Sequence, residues 1–352
     1  MRICLLTHGE NRFGRHYARE FMARGHEVVT VSLTARPLNF PGAEVRAVGP
    51  KGWQPLGGGS RLAYLKAVRP VRRVLRETRP DIVFAMYLSS AGVVACLTGH
   101  PNVVLSARGS DVNTHIGNWL WRRVFAWQGR RAKLLHAVSE PLAKKLIEQA
   151  NVPAEKVIVA PIGVDTELFA YGPPENRPQA GRVVCTRAHQ PAYDQATLIR
   201  AADRLKQQGV QFELVFAARD ENGSTHKLVE QHGLADRVRF LGGYRLEDLP
   251  SVLAEANVYV SCSLMDGMSS SLLEAMSTGL YPVVTDIEAN RPWVTDGQTG
   301  RLFPCGDDAS LAAILENVLS HSQLRTQAGP LCRQVIEQSG DMRVQMDRLL
   351  SA

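Results

Sequence analysis

The chain lacks closely spaced cysteines, a long unbroken apolar run and any metal-binding signature. Its six cysteines, Cys4, Cys96, Cys185, Cys262, Cys305 and Cys332, are scattered over 352 residues. That spacing excludes a C-x-x-C zinc or redox centre and fits a reducing compartment. The most lipid-like window, Ser89 to Ala107, is interrupted by Gly99, His100, Pro101 and Asn102, so no membrane span is expected. The opening MRICLLTHGE is too short in apolar residues for a signal-peptide core, which leads us to expect a cytoplasmic protein. There is no D-x-D pair and no His/Cys/Asp cluster at metal-ligand spacing, so no metal is expected. The dinucleotide fingerprint is missing as well. The loop from His8 to Gly14 is not G-x-G-x-x-G, and Val31-Ser32-Leu33 closes the next strand without an acidic residue. A nicotinamide dehydrogenase is thereby disfavoured.

What is present is a core-forming composition, 45% hydrophobic and 21% charged, long enough for two domains. Residues 1–168 carry 24 Lys+Arg against 12 Asp+Glu, a net +12, and residues 169–352 carry 17 against 22, a net −5, giving the chain's +7. A basic half facing something anionic and a mildly acidic half is the simplest reading.

Short β-branched runs without alternation suit strands covered on both faces. They occur at 2–7, 27–33, 81–86, 103–107, 134–138 and 157–161, then at 182–186, 212–217, 238–241, 258–262 and 282–285. Helical patterns lie between them at 15–24, 62–78, 119–131, 141–150, 195–208, 246–256, 271–278 and 310–319. This alternation predicts an α/β fold of two doubly wound, Rossmann-like domains facing a central cleft. The Pro-rich stretch 171–179 (YGPPENRPQ) reads as a linker. The division expected is 1–170, 171–325, and a helical tail 326–352 packing back toward the first domain.

In such sheets ligands bind beyond the carboxyl ends of the strands. The segment Ser263 to Gly279 leaves a strand there and opens a helix. It holds Asp266, Gly267, Met268, Ser269, Ser270, Ser271 and Glu274. A helix start with free N–H groups suits an anion. The competing reading is structural: Ser271-x-x-Glu274 is also a capping box, and Asp266-Gly267 an ordinary turn.

Taken in order along the chain, these residues resemble the retaining nucleotide-sugar glycosyltransferases of family 4, with the GT-B fold. The resemblance rests on Asp266, on Glu274 within Leu273-Glu-Ala-Met276, on Gly279, on Pro282-Val-Val284 and on Asp296-Gly-Gln-Thr-Gly300. Val138-Ser139-Glu140, Pro161-Ile-Gly-Val-Asp165 and Phe240-Leu-Gly242 complete it, from about Met1 to Leu319. It implies that Arg187, Asp266 and Glu274 serve catalysis: Glu274 on the donor ribose, Asp266 on sugar hydroxyls and Arg187 on the diphosphate. It adds Gly14, Gly242, Gly243, Gly267, Met268, Ser269 and Ser270 to the donor site, and puts Arg108 and Asp111 on the acceptor side. The chain departs from the family where Asp266 replaces the usual Glu, and where the phosphate Lys falls among Ala192, Tyr193 and Asp194. The two family His positions read Phe84 or Met86, and Arg108. The Gly-rich turn reads Ala217-Ala-Arg-Asp220, and the usual Glu before the Asp-Gly turn is replaced near Pro292.

The resemblance therefore implies a metal-independent, cofactor-free, retaining transfer of a sugar from a nucleotide donor, a UDP-sugar ahead of a GDP-sugar. The acceptor would be a glycan or lipid-linked glycan of cell-envelope or polysaccharide biosynthesis, such as a lipopolysaccharide core. Two alternatives remain at this point: a catalytically weak sugar-nucleotide-binding subunit of a glycosylation complex, and a GT-B sugar-nucleotide epimerase. The stretches holding Arg61, Lys66, Arg69, Arg72, Arg73, Arg76 and Arg79, and Trp119 to Arg131, read either as solvated faces of sheet-packing helices or as a peripheral surface for anionic membrane on the cytoplasmic side. Nucleic acid is not expected, because no stacking motif accompanies the charge.

Overall fold

Each apolar run builds a parallel strand, and the strands assemble into two sheets. The computed structural model describes residues 1–9, 12–49, 63–177 and 181–352. Arg61, residue 62 at the start of the helical pattern 62–78, and residues 178–179 of the Pro-rich stretch lie outside the described residues, as do Glu10 and Asn11 of the first loop. The first sheet comprises β1 (Arg2–Thr7), β2 (Glu27–Ser32), β3 (Glu44–Ala47), β4 (Ile82–Met86), β5 (Val103–Ala107), β6 (Leu134–Ala137) and β7 (Val157–Val159). Its spatial order is β3-β2-β1-β4-β5-β6-β7. The second comprises β8 (Arg182–Cys185), β9 (Glu213–Phe216), β10 (Val238–Phe240), β11 (Val258–Ser261), β12 (Tyr281–Thr285) and β13 (Arg301–Phe303), in the order β10-β9-β8-β11-β12-β13. Every strand pairing is parallel, as strand–helix–strand connections require. Central strands β5, β11 and β12 are buried at every residue, which explains their unbroken apolar runs.

The edge strands β3 and β13 are not among the runs the sequence marks. Both are short and only partly buried, with Glu44 and Arg46 taking half of β3 and Arg301 one of the three residues of β13. Also unmarked are the helices Val93–Thr98 and Ser224–Gln231.

The chain divides into two compact units, Met1–Ile162 with Met346–Ala352, and Gly163–Gln345. In the first, the final residues Met346 and Leu349 are buried in one cluster with Ile3, Leu5, Phe21 and Phe84. In the second, Arg177 is only 6% exposed and holds the Pro-rich segment in place. Its Nη1 donates to the carbonyls of Leu253 (2.7 Å) and Ala256 (3.0 Å), and its Nη2 to those of Gly172 (3.2 Å) and Thr278. Burial pulls the Arg177 pKa down to about 10, still charged near neutrality. Arg333 Nη1 donates to the carbonyls of Phe169 (3.1 Å) and Ser277 (3.3 Å). Two cations thus sit at the carboxyl end of the helix Ser270–Ser277, where its dipole is negative. Gly300 shows why its position takes no side chain: a Cβ there would lie 2.5 Å from the Pro282 carbonyl oxygen. Among the described residues, no helix is long and apolar enough to cross a membrane.

Candidate active site

In the second unit, β8 and β11 are neighbours although two strands separate them in sequence, so their following loops diverge and leave a crevice at the carboxyl ends. Thr186 and Arg187 leave β8, and residues 262–269 leave β11. The two loops are tied by Leu264 N–H donating to the Ala192 carbonyl at 2.9 Å. Arg187, with 10% of its side chain exposed, lies between them. Its Nη2 is 2.6 Å from Asp266 Oδ2, its Nη1 donates to Ser271 Oγ at 3.1 Å, and its Cζ stacks 4.0 Å from the Tyr193 ring centre. Burial acts to lower the Arg187 pKa, but the Asp266 carboxylate, with Tyr259, Tyr193 and Cys185 adding to it, leaves the pKa raised. Tyr259, its phenol pushed up to about 12 by burial, hydrogen-bonds Ser271 Oγ at 2.8 Å. Asp266 Oδ1 accepts the N–H of Gly267 at 2.9 Å.

The helix after β11 begins at Ser270, with Ser269 at its N-cap and no side-chain capping bond. This corrects the capping-box reading. Ser271 lies inside the first turn, and its hydroxyl is spent on Tyr259 and Arg187 rather than on a cap. Glu274 is 2% exposed on the same helix. Four buried polar atoms in this neighbourhood, Thr186 Oγ1, Arg187 Nε, Ser269 Oγ and Ser270 Oγ, have no hydrogen-bond partner among the described residues. Buried orphans are rare in folded proteins, and four together mark a place shaped for a polar ligand.

Further along the same sheet edge, Gly242 and Gly243 follow β10 with φ of 72° and 111°. Gly243 N–H donates to the Ala217 carbonyl at 3.0 Å, and Arg219 Nε to the Gly242 carbonyl at 3.2 Å. Asp220 Oδ2 accepts the N–H groups of Thr225 (2.9 Å) and His226 (3.0 Å) and pairs with His226 Nδ1 at 2.9 Å. The His226 ring stacks on Phe240 with centroids 3.6 Å apart.

Gly14, Arg108 and Asp111 belong to the first unit. Gly14 lies in the helix Arg12–Ala23. Asp111 accepts backbone N–H groups from Leu88 (2.6 Å), Gly109 (2.9 Å) and Arg108 (3.0 Å), so its carboxylate clamps the loop after β5. Arg108, 7% exposed, donates through Nη1 to Tyr17 Oη at 3.0 Å and lies over the Phe13 ring at 4.5 Å, leaving Nε and Nη2 without hydrogen-bond partners among the described residues. Phe84 and Met86 are core residues.

Sequence patterns did not single out His8, whose Nε2 is 2.6 Å from Ser90 Oγ at the β1/β4 switch point. Burial pulls the His8 pKa down to about 4, so it is neutral near pH 7. Beside it Tyr87 has a φ of 71°, a left-handed conformation costly for an aromatic residue. Only the fold brings these residues together, from positions 82 residues apart. Among the described residues, no group of three or more His, Cys, Asp and Glu side chains could hold a metal.

Comparison with known proteins gives a consistent result. The family model described as Glycosyltransferase Family 4 matches residues 8–168, and that described as Glycosyl transferases group 1 matches residues 175–335. The MMP alpha-(1->4)-mannosyltransferase of Mycolicibacterium hassiacum is 31% identical over 226 residues, covering 60% of this chain and 54% of that protein. The phosphatidyl-myo-inositol mannosyltransferase of Mycolicibacterium smegmatis is 34% identical over 182 residues, covering 50% of this chain and 46% of that protein. The chain thus matches about half the length of each of these two relatives. The crystal structure of HepE from Anabaena in complex with UDP superposes with a TM-score of 0.78 at 19% identity, covering 100% of both chains.

Proposed function

The chain belongs to the family 4 type of glycosyltransferases with the GT-B fold, and from that premise we propose that it transfers a sugar from a nucleotide diphosphate donor to a glycan or lipid-linked glycan acceptor of cell-envelope or polysaccharide biosynthesis. The observation that carries the reading is the buried Arg187 beside a helix start with two unpartnered serine hydroxyls. A diphosphate supplies what that place lacks: acceptor oxygens for Ser269, Ser270 and the Arg187 Nε. Arg187 and the positive end of the helix dipole would stabilise the charge that develops on the leaving diphosphate. Family membership further supports retention of anomeric configuration. The departing phosphate would accept the acceptor's proton, so that no pair of carboxylates is required. Glu274 would hold the ribose, and Arg108 with its two unpartnered nitrogens would serve the acceptor side.

A thermal-shift panel of UDP-, GDP-, ADP- and dTDP-sugars tests the donor site. A ligand at about 100 times its Kd stabilises by about 2.7 kcal/mol, or roughly 5–10 °C for a unit of this size. UDP-sugars are expected to give the largest shift, and transfer is expected to survive EDTA. Absence of any shift counts against a nucleotide-sugar site. Loss of turnover in EDTA, restored by Mg²⁺ or Mn²⁺, counts against metal independence.

The reading extends to a peripheral position on anionic membrane. The helix Trp119–Arg131 carries Arg122, Arg123, Arg130 and Arg131 exposed and no acidic residue. At its start Trp119 is 65% and Leu120 54% exposed, with Arg123 over the Trp119 ring at 5.2 Å. Trp121 instead packs on Phe125, as a sheet-facing residue would. Binding to vesicles rich in anionic lipid is expected, falling as salt rises and weakened when the four arginines become Gln. Equal partitioning onto neutral and anionic vesicles would leave the helix a solvated face.

A further inference from the structure

The carboxylate of Asp266 sits across two donors that an incoming anion would use. Its Oδ2 takes Arg187 Nη2 at 2.6 Å, and its Oδ1 takes the Gly267 N–H at 2.9 Å. As it stands, its partner Arg187 has only Nε left to offer a second anion. One face of the guanidinium is covered by Tyr193 at 4.0 Å, Nη1 is turned to Ser271, and the side chain is 10% exposed. Asp266 itself is 17% exposed at the rim of the same crevice, on a loop without regular secondary structure.

We propose that Asp266 is an exchange ligand: without donor it occupies Arg187 and the Gly267 N–H, and on binding it yields both to the donor diphosphate and turns to the sugar hydroxyls. The proposal rests on the nucleotide-sugar reading and deepens it by coupling recognition of the sugar to capture of the diphosphate. A nucleoside diphosphate alone would have to break the charge-assisted Arg187–Asp266 pair and leave a half-buried carboxylate without a partner. A nucleotide sugar offers that carboxylate hydroxyl donors in return. After transfer the sugar is gone, so Asp266 returns to Arg187 and helps expel the product. In this account Asp266 is a specificity-determining residue: it makes the site prefer the intact donor to the spent one.

The experiment is calorimetric titration of wild type, Asp266→Asn and Asp266→Glu. The ligands are the nucleotide sugar giving the largest shift in the panel, its parent nucleoside diphosphate, and inorganic pyrophosphate as a base-free probe. Asn keeps the shape and removes the charge, so Asp266→Asn is expected to bind the nucleoside diphosphate and pyrophosphate about tenfold more tightly than wild type. The ratio of nucleotide-sugar to nucleoside-diphosphate affinity is expected to fall at least as far. Asp266→Glu restores the charge and is expected to restore weak binding of the bare diphosphates. Circular dichroism melts of the unliganded variants establish that both are folded. If folded Asp266→Asn binds the nucleoside diphosphate no more tightly than wild type, Asp266 merely holds Arg187 in place and the exchange is overturned while the donor site stands. If no panel member binds wild type, the nucleotide-sugar reading falls and the exchange with it.

Discussion

Arg187→Ala is expected to lower kcat/KM by about two orders of magnitude or more. The side chain is a fixed, charged fork, and in the proposed reading its loss would remove a charge-assisted contact to the diphosphate that strengthens as the leaving group departs, on the order of 3 kcal/mol. The same side chain ties the crevice together before donor arrives, because Arg187 bridges Asp266 and Ser271 from a position 79 residues before the first and 84 before the second. The comparison variant is Arg187→Lys, which keeps the charge but not the two-pronged geometry, and it should fall between wild type and Ala. Steady-state kinetics on variants with native circular dichroism measure the effect. Activity of Arg187→Ala within a factor of three of wild type would make Arg187 a structural residue.

Arg177→Ala is expected to cost stability rather than chemistry directly, by about 3 kcal/mol. Arg177 donates to four backbone carbonyls, those of Gly172, Leu253, Ala256 and Thr278, and alanine leaves them in a buried space with fewer partners. It also removes a cation from the carboxyl end of the helix that carries Ser270, Ser271 and Glu274. For a unit of this size the loss corresponds to roughly 6–12 °C in Tm. A thermal melt of the variant checks it. A drop of less than about 2 °C would show that water or a local shift satisfies those carbonyls. Because the helix is anchored here, weaker donor binding is expected to accompany the lower Tm.

Residue order made most of the architecture legible, and the exceptions have physical causes. Central strands such as β5 and β12 are buried on both faces, so their apolar runs stand out. β3 and β13 lie at sheet edges, where Glu44, Arg46 and Arg301 meet solvent and dilute the pattern. The stretch 171–179 has the composition of a linker, but Arg177 within it finds a pocket of carbonyls that no local pattern announces. In the site, Arg187 and Asp266 were both legible, yet not their pairing, which arises only because β8 and β11 are adjacent. Ser271 matched a capping box by spacing, but the helix starts one residue earlier, and its hydroxyl faces Tyr259 and Arg187. Tyr193 stood out only as the absence of a lysine. In the fold it covers one face of the arginine instead.

We infer that the helix start after β11, with Arg187 beside it, receives the donor diphosphate. Ser269 and Ser270 are the residues to change, because neither buried hydroxyl has a partner among the described residues and neither caps the helix. Replacing both with alanine should leave the Tm of the unliganded protein within about 2 °C, since no protein hydrogen bond is lost. Calorimetric titration of the donor should nevertheless show a Kd raised about tenfold, the loss of two hydrogen bonds worth about 1.4 kcal/mol together. An unchanged Kd in the doubly substituted protein would contradict the account, because the orphan hydroxyls would then have no ligand to receive.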